Sequence, residues 1–63
     1  MKVSETREKM IKRYGSVNPI MAFIYNQGVI DTLRRENLIS GNDWYMLDNE
    51  NNDLLAKGMR IKG

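Results

Sequence analysis

Neither cysteine nor histidine occurs in this 63-residue chain. Their joint absence removes the thiolate nucleophile, the usual general base at neutral pH and the ligands of tetrahedral zinc sites. It also removes disulfides as staples, which fits a reducing compartment. Proline occurs once, and the longest apolar run is Ile20-Met21-Ala22-Phe23-Ile24-Tyr25. A run that short cannot span a membrane, and the N-terminus lacks the basic-then-apolar order of a signal peptide. The absences point to a cytoplasmic, non-enzymatic protein with no membrane contact, no cofactor and no metal.

What remains is one small domain over residues 1–63, near the lower limit at which a hydrophobic core suffices without disulfides, metal or oligomerisation. A composition of 41% hydrophobic and 29% charged residues is that of a globular protein rather than a disordered one. Sixty-three residues leave little room for both a scaffold and a catalytic pocket. No repeat or internal linker divides the chain, and the initiating Met1 suits a complete small protein.

Ser4 or Thr6 is placed to cap a first helix, with Glu5 and Glu8 near its positive end. Val3, Met10, Ile11 and Tyr14 form its apolar stripe, and Gly15 reads as its stop, in the left-handed conformation that glycine adopts at little cost. Asn18 then caps a second helix with Pro19 in its first position, where no amide donor is missed. That helix is expected to run to Glu36 or Asn37.

Advancing about 100° per residue along the second helix gives two apolar faces. Val29, Ile30 and Leu33, joined by Ala22 and Phe23, form a core stripe. Ile20, Met21 and Ile24 lie near the opposite side, where the later turns carry Asp31 and Arg35. Two readings follow. Either the first helix and the C-terminal segment sandwich this half inside a monomer, or Ile20, Met21, Ile24 and Tyr25 form the interface of a homodimer or of a complex with another protein. Methionine adapts its shape and tyrosine offers a polar tip, which suits an interface.

Ser40-Gly41-Asn42 reads as a turn. Trp44-Tyr45-Met46-Leu47 is short, aromatic and strand-like, Asp48 to Asp53 is a polar loop, and Leu54 to Ile61 is a returning strand. A bulge at Lys57-Gly58 would place Leu54, Ala56, Met59 and Ile61 on one face and Lys57, Arg60 and Lys62 in water; the alternative is a strand that ends at Gly58. The expected fold is α+β: two N-terminal helices packed on a C-terminal antiparallel β-hairpin, in the order α-α-β-β. Its core would contain Met10, Tyr14, Phe23, Ile30, Leu33, Trp44, Met46, Leu54 and Met59.

Charge is segregated. Residues 1–35 carry a net +4, residues 36–56 a net −5 and residues 57–63 a net +3, so the formal +2 conceals an acidic middle. Basic surface can mark a phosphate footprint, although it is more often simply solvated. A helix–helix–hairpin order also matches a winged helix-turn-helix. In that reading Asn26-Gln27-Gly28 is the turn, residues 29–37 form the recognition helix, and Thr32, Arg34, Arg35 and Asn37 contact nucleic acid. The supposed wing tip carries Asp48, Glu50 and Asp53, which phosphates would repel.

Other motifs fall short. Asp48, Glu50 and Asn52 have the spacing that opens a calcium loop, but Asp53 replaces the required glycine and Met59 the closing acid. Trp44-Tyr45 could stack on a base, though a tryptophan in so small a domain is more often a core anchor, with Tyr45 exposed. The functional expectation is a small protein-binding module that regulates or inhibits a partner, acting as a homodimer. Bacterial and phage regulators of this size work by stoichiometric binding, an analogy of size and composition. The alternative is a DNA-binding regulator.

Overall fold

The computed structural model describes the backbone of residues 3–62 and the side chains of residues 3–58. Its elements are α1 (Val3–Arg13), α2 (Pro19–Arg35) and α3 (Gly41–Lys62), with no strand among the described residues. The fold is therefore all-helical, and the expected α+β architecture is overturned. Residues 44–47, 48–53 and 54–61, read as strand, loop and returning strand, are successive turns of α3.

The physical reason lies in a spacing that the polar run conceals. Trp44, Leu47, Asn51, Leu54, Leu55 and Gly58 recur at three- and four-residue intervals, the period of one helix face. Leu47 and Asn51 are fully buried, and Trp44, Leu54, Leu55 and Gly58 are half-buried. An asparagine sits where the pattern calls for an aliphatic residue, so the stripe looks interrupted. Ser40 is the cap of α3 rather than part of a free turn: its Oγ accepts from the Asp43 amide at 3.0 Å and its carbonyl from the Trp44 amide at 2.9 Å.

The second helix begins as its sequence dictates. Asn18 Oδ1 accepts from the Met21 amide at 2.9 Å, and Pro19 occupies the first turn. The helix continues unbroken through Gly28. It ends where Asn37 adopts a left-handed φ of 61°. There the Leu38 amide donates to the Leu33 carbonyl at 2.9 Å and the Asn37 amide to that of Arg34 at 3.1 Å, a Schellman arrangement. The left-handed stop expected at Gly15 is absent, since no described glycine has positive φ. Instead α1 closes through three tight bonds, from the amides of Tyr14, Gly15 and Ser16 to the carbonyls of Ile11, Lys12 and Arg13. Ser4 and Thr6 lie within α1, so neither caps it from outside.

The five-residue connection folds α3 back along α2. Trp44 meets Asp31, Asp48 meets Gln27, Asn51 meets Phe23, and Gly58 meets Pro19, the order of an antiparallel pair. The last contact is tight: a Cβ on Gly58 would lie 3.0 Å from Pro19 Cγ. Glycine serves there to let α3 approach the start of α2, not to form a bulge. Helix α1 crosses both, with Arg7 beside Glu50 and Tyr14 bonded to Asn51.

The buried apolar core is small: Met10, Ala22, Ile30, Ile39 and Leu47, with Val3, Leu33 and Trp44 packed at its edge. Met10, Ile30, Leu33 and Trp44 belong to the expected core and Ala22 to the expected inner stripe of the second helix, whereas Leu47 and Ile39 complete it. Met46, expected inside, is exposed. Tyr14, Phe23 and Leu54 are half-buried. The side chains of Met59, Arg60, Ile61 and Lys62 lie outside the described residues.

Where apolar groups run out, a hydrogen-bonded cluster takes over. Asn26 and Asn51 are fully buried and bonded to each other at 3.2 Å. Asn51 Oδ1 also accepts from the Tyr14 hydroxyl at 2.8 Å. Its Nδ2 donates to the Phe23 carbonyl and to Gln27 Oε1, each at 3.1 Å. Asn26 Nδ2 donates to the Met10 carbonyl at 3.2 Å, and its Oδ1 accepts from Arg13 at 2.9 Å. Among the described residues no buried side-chain polar atom lacks a partner. Burying amides is tolerable only on that condition.

Candidate protein-binding surface

Helix α2 has one face turned fully inward, through Ala22, Asn26 and Ile30. Its 3.6-residue period then carries Ile20, Met21, Ile24 and Tyr25 to the other side. Their exposures are 53%, 57%, 60% and 57%, so α1 and α3 do not sandwich this half of the helix within the monomer. Val17, just before the Asn18 cap, extends the patch and is 47% exposed. The stripe Val17, Met21, Ile24 continues the helical spacing one turn back through the cap, a signal that a search confined to the helix misses.

The patch is not flat. Between α1 and α2 runs a hollow of about 700 Å³, with Val17, Met21, Ile24 and Tyr25 on one side and Lys9, Lys12 and Arg13 on the other. A second hollow of about 320 Å³ shares Lys9, Arg13 and Tyr25 and continues past Met10 and Val29 toward Leu33, with Glu5 at its edge. Both lie along the α1–α2 boundary and share the stacked Arg13 and Tyr25 side chains; the first, walled by the apolar face of α2, is a furrow.

Arg13 is the fixed point of this furrow. Its Nη1 donates to the buried Asn26, and its guanidinium carbon stands 3.9 Å from the centroid of the Tyr25 ring. The cation over the ring face adds electrostatic attraction to packing, on the order of 0.5–1 kcal/mol at an exposed site. Tyr25 is thus held in place although its ring remains accessible. Lys9 and Lys12, both exposed, make no ion pair among the described residues, whereas Arg7 pairs with Glu50 and Lys57 with Asp53.

The residues expected to touch nucleic acid lie at the far end of α2 and are all exposed. Thr32 donates to the Gly28 carbonyl, Arg35 to Thr32, and Arg34 to Asn37 Oδ1. Asn37 is the left-handed residue that ends the helix. The break at Gly28 and the wing on which that reading depended are not formed, because α2 is continuous and residues 48–53 are helical. Asp48 bonds Gln27 at 2.7 Å and Glu50 pairs with Arg7, so the calcium-like spacing is spread around a helix. Among the described residues there is no group of three or more potential metal-binding side chains. Burial raises the pKa of the Tyr14 hydroxyl above its usual 10.0.

No described helix is long and apolar enough to cross a membrane. No protein-family model, curated protein or solved structure matches this chain.

Proposed function

We propose that this chain is a non-enzymatic protein-binding module of the cytoplasm that regulates or inhibits a partner through the exposed face of α2. One observation carries the reading: Ile20, Met21, Ile24 and Tyr25, contiguous on one helix, are each more than half exposed. Scattered apolar residues on a surface need no explanation, but a contiguous patch with charges at its edge is typical of an interface. The chain's lack of histidine and cysteine supports a role other than catalysis.

A photo-crosslinking amino acid placed at Ile24 tests this in native host extract. Binding through α2 predicts cross-links to a defined protein, reproducible by mass spectrometry and lost when Met21→Glu is added. Absence of any such cross-link would sink the reading. Self-association is a special case, measured first by light scattering across a concentration series. A dimer cross-linked from Ile24 to Ile24 would identify the partner as a second copy.

A further inference from the structure

We propose that the furrow between α1 and α2 receives an amphipathic helix of another protein whose flank is lined with carboxylates. The inference rests on the protein-binding reading above and names the chemistry of the partner. The shape comes first. Val17, Met21, Ile24 and Tyr25 border a hollow of about 700 Å³, faced by Lys9, Lys12 and Arg13. An apolar furrow between two helices matches the way a third helix inserts its apolar residues, spaced three and four apart. A flat membrane surface or the ridged, charged surface of duplex DNA would leave that hollow unfilled.

Charge decides the rest. Lys9 and Lys12, one turn apart, stand on the α1 wall without ion-pair partners among the described residues. Arg13 stands beside them, held by Asn26 and stacked over Tyr25. A helix seated on the apolar side would bring its flank against these cations. Carboxylates there would be attracted, and lysines repelled.

A second copy of this chain is a poor occupant. Three of the four carboxylates on α3 are engaged, Glu50 with Arg7, Asp53 with Lys57 and Asp48 with Gln27, as is Asp31 of α2 with Trp44. On α3, its most acidic helix, Tyr45 and Met46 are the only large apolar side chains among the described residues that are exposed.

The test uses the intact protein and fluorescent model peptides of about 18 residues, long enough to form a helix. One peptide carries leucines at helical spacing with glutamates on the flank. A second replaces every glutamate by lysine, and a third scrambles the acidic sequence. The expected result is saturable binding of the acidic peptide, at least about 10-fold tighter than either control and weakened as salt rises to roughly 0.5 M. The variant Lys9→Glu/Lys12→Glu, at exposed positions, should keep its circular dichroism, lose about 10-fold for the acidic peptide and gain for the basic one. That exchange of preference cannot come from loss of fold. Equal binding of the acidic and basic peptides, or no acidic-peptide binding at hundreds of micromolar, overturns the proposal. So does tighter binding to random duplex DNA or to anionic phosphatidylglycerol vesicles, or a dimer that the acidic peptide cannot displace. Should the Ile24 cross-link capture a partner while the peptide preference fails, the binding module stands and this inference alone falls.

Discussion

The Tyr14 hydroxyl shares its one proton between two oxygens of Asn51, 2.8 Å from the side-chain oxygen and 3.0 Å from the carbonyl. This joins the turn after α1 to the middle of α3, across 37 residues of chain. Asn51 in turn holds Asn26, Phe23 and Gln27 of α2, so one side chain ties all three elements together. A buried asparagine that meets its partners in only one alignment selects that alignment over sliding by one turn.

Tyr14→Phe removes the donor and should destabilise the protein by about 1–2 kcal/mol in urea unfolding. It should also alter the alkaline limb. Burial raises the Tyr14 pKa above 10.0 in the folded state, so its contribution is fully present below that value and is lost as pH rises through the folded pKa. The wild type should lose stability above about pH 10 more steeply than Tyr14→Phe. Parallel stability curves for the two proteins would contradict this.

Asn51→Leu matches the neighbouring hydrophobic spacing of α3 yet should be strongly destabilising, by about 3 kcal/mol or more. It removes the side-chain acceptor of Tyr14, which keeps only the backbone carbonyl of residue 51, and takes one bond each from the Phe23 carbonyl, Gln27 and Asn26. For a small domain that is a large part of the total stability. Thermal unfolding measures it, and an unchanged melting temperature would show that the cluster is not formed.

Two glycine-to-alanine changes should have opposite signs. Gly28 lies within α2 with nothing within 4 Å of an added Cβ, so Gly28→Ala should stabilise by about 0.5–1 kcal/mol. At Gly58 the same Cβ would stand 3.0 and 3.1 Å from the Pro19 ring. The ring is rigid and buried, so overpacking of about 1–3 kcal/mol should outweigh the helix-propensity gain. Denaturation midpoints of the two variants decide the matter; a stabilised Gly58→Ala would mean that α3 does not press on α2 there.

The double variant Met21→Glu/Ile24→Glu should fold. Both side chains are more than half exposed, so its unfolding free energy should lie within about 1 kcal/mol of the wild type, with unchanged helicity. Leu47→Ala, by contrast, opens a cavity at a fully buried site and should cost about 2–5 kcal/mol. Loss of helicity in the double variant would place those two residues inside a core.

The second helix and its two faces were legible because their determinants are local. Asn18 and Pro19 set the start, and the positions of Ala22, Ile30 and Leu33 against Ile20 and Ile24 follow from helix geometry alone. Absence of histidine and cysteine is likewise a property of composition. The furrow was half legible: its apolar side is in the second helix, but its basic wall depends on which face α1 turns toward α2.

The state of residues 41–62 was decided by tertiary structure. Asp, Asn and Gly are weak helix formers, and Asp48 to Asp53 consists almost entirely of them, so local propensity favours a loop. The Ser40…Asp43 cap was a local sign of a helix start, but a cap alone does not make a helix stable. What stabilises this one is distant: Leu47 in the core with Met10 and Ile30, Glu50 against Arg7, and Asn51 bonded to side chains and carbonyls on the other helices. No window of the sequence shows that an asparagine has partners 24, 25, 28 and 37 residues away. The chain could specify its second helix locally, whereas the third became a helix because packing against the other two satisfied its polar face.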